Sequence, residues 1–292
     1  MADVRPTDQH CDINLDMDTE QQILHTTMRI EVIDGQGRQF FGTAFMYQHP
    51  LGDNKELPLL VSNKHVFVEN ARKITATALK KGANDNPSYG NSVTFDLRCL
   101  RCGNYHVVGH PKDEIDVAAI NVGYQLNLNP IFFRAVGPEN ILKNQPEDKG
   151  LKKATLESVF FIGYPNGIYD THNVMPIARF GRLATLLDFE YLGHPQFLID
   201  AAVFGGSSGS PVFVYRKFQR SSSAGIFFGE EPYFVGVLAA VHQKSDHGRL
   251  VPVNYAIEID KELGLGLVFN ESTVTDVATL AHNKFVTDPH CG

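Results

Sequence analysis

The chain has 292 residues, 43% hydrophobic and 20% charged, with a formal net charge of −7 and a pI near 5.9. That is enough apolar side chain to bury a substantial core, and the acidic balance gives no electrostatic reason to bind nucleic acid. The polar opening holds no signal-peptide apolar run and no later stretch reaches the length of a membrane span, so a cytoplasmic protein with no membrane partner is expected.

In chain order, residues 1–20 are polar and structure is expected from near Gln21. Residues 25–33 and 38–47 are strand-like and separated by Asp34-Gly35-Gln36-Gly37, a hairpin signal. Strands are then expected at 58–62, 73–79, 92–97, 105–108 and 117–122, with Gly, Asn and Pro between them. Four cysteines, Cys11, Cys99, Cys102 and Cys291, are too few and too irregular for a disulfide framework in a chain this long. Cys99 and Cys102, with His106 and His110, offer the donor types of a tetrahedral zinc site. They are crowded into one short stretch without a second Cys pair, so a hairpin with ordinary thiols and no metal is expected.

Residues 127–153 look like a connector, with a helical turn at 139–142. Strands resume at 156–163, 174–187, 196–204, 211–215, 233–242 and 250–259, with loops at 221–225 and 244–248. Residues 273–282 carry Val274, Val277 and Leu280 at helical spacing. Short strands in two halves of about six each predict an all-β fold, barrel or sandwich. The expected division is a polar segment (1–20), a first half (21–126), a connector (127–153), a second half (154–265) and a C-terminal helix and tail (266–292).

Between two of these strands lies Phe204-Gly-Gly-Ser-Ser-Gly-Ser-Pro-Val-Phe213. Such composition is by default a flexible turn, but here apolar strands flank it on both sides. The glycines force a tight turn around Ser208 with amide hydrogens exposed. A serine hydroxyl is a weak nucleophile alone and needs a base and an anion stabiliser. The N–H groups of Gly206 and Ser208 can supply the stabiliser by converging on one point.

Of twelve histidines, His65 fits best as the base. It follows the apolar run 59–62 directly, and imidazole titrates near working pH. A lone histidine there would by default cap the strand. Asp116 opens the apolar run 117–120, where a carboxylate is costly to bury without a partner such as a histidine N–H. Asp113 and Glu114 stand in a polar loop, where solvated charge is the default.

His65, Asp116 and Ser208 in that chain order, within Val61-Ser-Asn-Lys-His65, Asp116-Val-Ala118 and Asp200-Ala-Ala202 leading to Gly206-Ser-Ser-Gly-Ser-Pro211, resemble the chymotrypsin-like serine peptidases. The bacterial trypsin-like branch with the high-temperature-requirement (HtrA) proteases is the most similar. Gly42-Thr-Ala-Phe45 and Asn254-Tyr-Ala-Ile257 resemble an early and a late strand of that family. The resemblance implies two six-stranded antiparallel barrels with the site in the cleft between them. It further implies hydrolysis of a polypeptide substrate through an acyl-enzyme, with His65, Asp116 and Ser208 catalytic, Gly206 and Ser208 forming the oxyanion hole, and no cofactor. By the same alignment Ala202 lies at the base of the primary specificity pocket and Ala239, Ala240 and Val241 form the wall that pairs with substrate backbone. His242 could line the pocket, though an exposed strand end is its default. No carboxylate there selects Lys or Arg, so small or medium apolar residues are expected before the scissile bond. Two departures stand out: Ser207 replaces the aspartate that precedes the nucleophile in animal trypsins, which argues against activation by an inserted N-terminus, and Ala44 replaces a glycine. Rival expectations are a catalytically silent binding module, and an esterase or effector switched on by an activating protein partner.

Overall fold

The structure is a computed structural model that describes residues 19–53, 55–68, 70–99, 103–145, 156–222, 225–247 and 258–287. The first seven strands are β1 (Thr27–Ile33), β2 (Gln39–Gly52), β3 (Lys55–Ser62), β4 (Lys73–Lys81), β5 (Pro87–Asp96), β6 (Val107–Gly109) and β7 (Ala118–Asn121). They form one antiparallel sheet in the order β5-β4-β1-β2-β3-β7-β6, matching the seven segments expected from the sequence and one more than the six that the family resemblance implies. The shortest is β6, three residues long, which falls on the strand expected at 105–108 and extends the sheet beyond β7. The predicted first hairpin is present. Asp34 Oδ1 accepts the N–H of Gln36 and of Arg38, both at 2.9 Å, and Gly37 takes φ +83, which closes the turn.

The second half is a closed six-stranded barrel of β8 (Ser158–Gly163), β9 (Ile177–Leu183), β10 (Gln196–Asp200), β11 (Pro211–Ser222), β12 (Gly225–His247) and β13 (Glu258–Asn270), in the order β10-β13-β12-β11-β8-β9. The fold is therefore the expected all-β one. Residues 244–247, expected in a loop, continue β12 and pair with β13 down to His247↔Glu258. The charged and polar sequence there carries no apolar strand pattern, and β13 is the partner of this end of β12. The late strand expected at 254–257 lies outside the described residues. Strand β13 runs to Asn270, so it crosses the expected division at 265.

Period-2 alternation explains why so many strands read as unbroken apolar runs. Along β2, Ala44 and Met46 point into the first sheet's interior while Phe45 and Tyr47 point between the two sheets. In β8, Val159 and Phe161 fill the second barrel, and Phe160 and Ile162 join the layer that Phe45 and Tyr47 occupy. Both faces are buried, so neither can be polar.

Helix α1 (Thr19–Leu24) precedes the first sheet, and α2 (Gly123–Leu128) follows it. Six residues are too few for a periodic signal, and neither was anticipated. The connector holds two 3₁₀ turns, Pro138–Asn140 and Leu142–Asn144, near the predicted turn. Helix α3 (Glu271–Thr287) closes the molecule. Its buried seam is Val274, Val277, Ala278, Ala281 and Phe285, spaced for one face, and each large member contributes roughly 1.5–3 kcal/mol. Leu280 lies off that seam and is 37% exposed. Among the described residues no helix is long and apolar enough to cross a membrane.

Candidate active site

The turn between β10 and β11 is held by its carbonyls. The carbonyl of Gly205 accepts the N–H of Asn166 at 2.6 Å, and that of Ser207 accepts the N–H of Ser210 at 3.0 Å. In a trans peptide the N–H points opposite to the C=O, so the N–H groups of Gly206 and Ser208 are turned away from these partners. Neither donates to any group among the described residues. Gly206 has φ +82, and a Cβ there would stand 2.6 Å from the carbonyl oxygen of Tyr164. The sequence therefore has glycine where backbone conformation and close approach both require it.

His65 and Asp116 meet at the end of the first sheet. Residues 63–67 form a helical turn after β3, with the N–H groups of Val66 and Phe67 donating to the Asn63 carbonyl. Asp116 directly precedes the buried run into β7. Its Oδ2 lies 2.5 Å from His65 Nδ1, and its Oδ1 accepts the His65 N–H at 3.1 Å. A carboxylate only accepts, so Nδ1 carries the proton and Nε2 is left as the acceptor of the neutral ring. Asn63, fully buried, donates its Nδ2 to the Asp116 carbonyl at 2.6 Å and fixes the backbone behind the carboxylate.

Thr43 of β2 joins the two halves of the site. Its N–H donates to the Ser208 carbonyl at 2.9 Å, its hydroxyl donates to the Gly206 carbonyl at 2.9 Å, and its own carbonyl accepts the Ser62 hydroxyl at 2.6 Å. Ser62 is three residues before His65. Gly209, immediately after Ser208, packs so tightly here that a Cβ would fall 1.9 Å from the Thr43 carbonyl oxygen and 2.2 Å from the Ser62 hydroxyl. The Ser208 turn and the His65 turn are thus seated on one strand residue.

The Ser208 hydroxyl donates to the carbonyl of Ala239 at 3.1 Å, and no hydrogen bond joins it to His65. Ala239 is free to accept because the β12 ladder is irregular between Leu238 and Ala240. Ala240 and Val241 pair with Leu267 and Gly266 of β13, and His242 falls at a second irregularity before Gln243. Ala202 is exposed, just beyond β10. Ser207 is buried at 1% exposure and its hydroxyl has no partner among the described residues; Ser210, fully buried, is in the same position.

Of the four residues weighed as zinc donors, Cys102 lies outside the described residues, and Cys99 is in no disulfide among the described residues. His110 is turned elsewhere: its Nδ1 accepts the Lys112 N–H at 3.2 Å and its Nε2 faces Asp276 at 3.6 Å. No cluster with metal-ligating composition occurs among the described residues. Sequence reasoning assigned no role to Thr43, Ser62 or Asn63. The available signal was three polar residues at buried positions of apolar strands, each of which had to find a hydrogen bond.

No protein-family model and no curated protein matches this sequence. Among solved structures it is similar to the HtrA-type protease AlgW with tripeptide, at 15% identity and a TM-score of 0.49 over 91% of this chain and 61% of that one. It is also similar to the protease Anisep from Arthrobacter nicotinovorans, at 15% identity and 0.46 over 88% and 96% of the two chains. A third is tobacco vein mottling virus protease, at 10% identity and 0.44 over 85% and 77%. This chain thus spans less than two thirds of AlgW.

Proposed function

We propose that the chain is a serine endopeptidase of the chymotrypsin-like kind, hydrolysing polypeptide substrates through an acyl-enzyme. One observation carries the reading: a His65–Asp116 hydrogen bond and a Ser208 turn with two unpaired N–H groups are brought to the same residue, Thr43. In the reaction the Ser208 hydroxyl leaves the Ala239 carbonyl by rotation about χ1 and gives its proton to His65 Nε2 as it attacks the substrate carbonyl. Asp116 holds the ring and steadies the imidazolium, and the N–H groups of Gly206 and Ser208 receive the oxyanion. His65 returns the proton to the leaving amine, and water repeats the sequence to release the acid. The residues take these steps without a cofactor. The Ala239 carbonyl, once released, accepts a substrate backbone N–H, and the uncharged Ala202 selects small or medium apolar residues before the scissile bond.

The test is labelling with a fluorophosphonate probe and mass spectrometry of the adduct. Stoichiometric modification at Ser208, absent in Ser208→Ala and strongly slowed in His65→Ala, is the expected result. Absence of labelling in a folded wild-type protein would overturn the reading. A second reading rests on the Ser208–Ala239 hydrogen bond: the nucleophile rests away from its base, as it would in a module that is silent until a protein partner binds. That reading expects no labelling of the isolated chain.

A further inference from the structure

The described cavity of about 660 Å³ between the first sheet, the second barrel and α3 belongs to no step of the proposed reaction. Its volume lies in the range of ligand sites. One wall is the loop 110–115, the second is the turn 190–195, and the third is the stripe of α3 that carries Asp276 and Leu280. Buried Ile115 and nearly buried His110 form its inner surface. Because the N–H of Lys112 occupies His110 Nδ1, the ring proton sits on Nε2 and points across the cavity at Asp276, 3.6 Å away and beyond hydrogen-bond range.

Glu114, Glu190 and Asp276 line the cavity against one lysine, Lys112. Glu114 and Glu190 have no ion-pair partner among the described residues. Apolar side chain stands beside this charge: Leu280, which lines the cavity, is 37% exposed, and Leu192, outside the lining but in the same turn as Glu190 and Gly193, is 73% exposed. Leu192 also holds φ +58, a backbone conformation that costs an L residue roughly 1–2 kcal/mol. Three carboxylates with an exposed leucine among them match a polypeptide segment that carries basic residues and leucine. A free polyamine would use the carboxylates and leave the leucines unused.

We propose that this cavity is a docking site for a basic, leucine-containing segment of a polypeptide, separate from the Ser208 site. Its wall continues directly into Asp116, and the ammonium of Lys64, the residue before His65, donates to the Lys112 carbonyl at 2.8 Å, so an occupant rests against the backbone that carries the His65–Asp116 pair. Binding requires no hydrolysis, so the proposal stands or falls apart from the peptidase reading.

The experiment uses full-length Ser208→Ala protein and fluorescein-labelled Lys-Leu-Arg-Leu-Lys, followed by anisotropy, with Glu-Leu-Glu-Leu-Glu as the opposite-charge control. The basic peptide is expected to bind saturably and at least about tenfold more weakly when Glu114→Gln, Glu190→Gln and Asp276→Asn are combined, with a similar loss when salt rises from about 50 to about 500 mM. Leu280→Ala is expected to weaken it by several fold, and the His110 ring resonances should shift on titration. Thermal melts establish that each variant is folded. No saturable binding, equal binding of the acidic peptide, equal binding to the triple variant or an unmoved His110 would each overturn the proposal. So would displacement of the peptide by spermidine at equal concentration, which would mean that charge alone is recognised.

Discussion

Replacing Gly209 by alanine tests whether the two halves of the site depend on one contact. Two costs are separable. Gly209 has φ +87, where an L side chain costs about 1–2 kcal/mol. The new methyl would also stand 1.9 Å from the Thr43 carbonyl oxygen and 2.2 Å from the Ser62 hydroxyl, so the β2 backbone and the Ser208 turn must part by about 1 Å. Overpacking of this kind adds roughly 1–3 kcal/mol, for a total of about 2–5 kcal/mol. Gly52→Ala is the control, since Gly52 has φ +84 but nothing within 4 Å of a Cβ, and it should cost about 1–2 kcal/mol. At roughly 2–4 °C per kcal/mol for a protein of this size, Gly209→Ala should melt several degrees below Gly52→Ala. Fluorophosphonate labelling at Ser208 should fall at least about 100-fold in Gly209→Ala, because a misplacement of about 1 Å is worth that much, and stay unchanged in Gly52→Ala. Equal melting temperatures, with labelling intact in both, would refute the seating of Ser208 and His65 on Thr43.

Ser207→Ala should leave stability within about 1 kcal/mol of wild type and leave labelling intact, since its buried hydroxyl has no partner to lose; loss of labelling would give Ser207 a positioning role. Asp116→Asn should slow labelling by roughly 10³- to 10⁴-fold through loss of the tautomer that presents Nε2, as for the worked triad of other enzymes. A slowing under about tenfold would mean that His65 is held by other contacts. Burial, helped by the nearby Arg134 charge, lowers the His25 pKa from 6.5 to about 4. The unfolded chain therefore binds a proton that the folded chain refuses between those values. Stability is complete above pH 6.5 and declines by up to about 3 kcal/mol as pH falls to 4. Urea melts across that window should show the decline in wild type and a shallower one in His25→Asn; identical slopes would refute the assignment.

The parts of the site legible in the sequence were those whose chemistry leaves a local mark. A glycine-flanked serine between apolar strands, a histidine closing one and an aspartate opening another each break a hydrophobic pattern that would otherwise continue. The structure brings His65 and Asp116 into hydrogen-bond contact and places Gly206 and Ser208 with their N–H groups unpaired. Strand order left no local mark, because pairings such as Leu60↔Ile120 bring together residues far apart in the chain. The far ends of β11 and β12 were missed for a different reason. A ribbon paired to one neighbour needs no alternation of apolar and polar residues, so 221–222 and 244–247 read as loop. Leu280 was assigned to the buried face of α3 on spacing that Ala278 and Ala281 satisfy instead, small residues that a search for large apolar side chains passes over.

Thr43 shows why function in this chain is a property of how the two sheets dock. Its side chain and backbone make three hydrogen bonds that reach the Gly206 carbonyl, the Ser208 carbonyl and the Ser62 hydroxyl, and it also gives its hydroxyl oxygen to the Tyr164 N–H at 3.0 Å. A valine there would fill the same volume and keep the backbone bonds while removing the hydroxyl. The Tyr164 N–H would then be buried without an acceptor, and the Gly206 carbonyl would lose its donor, at about 1–3 kcal/mol for each group stranded. The Gly206–Ser207 peptide, which lies between the two peptides that carry the Gly206 and Ser208 N–H groups, would then keep only its Ser207 N–H bond to the Phe204 carbonyl at 3.1 Å, and the turn would be held less firmly. Loss of the hydroxyl should therefore slow labelling at Ser208 more than it lowers the melting temperature, while a serine, which restores the hydroxyl without the methyl, should recover most of the rate.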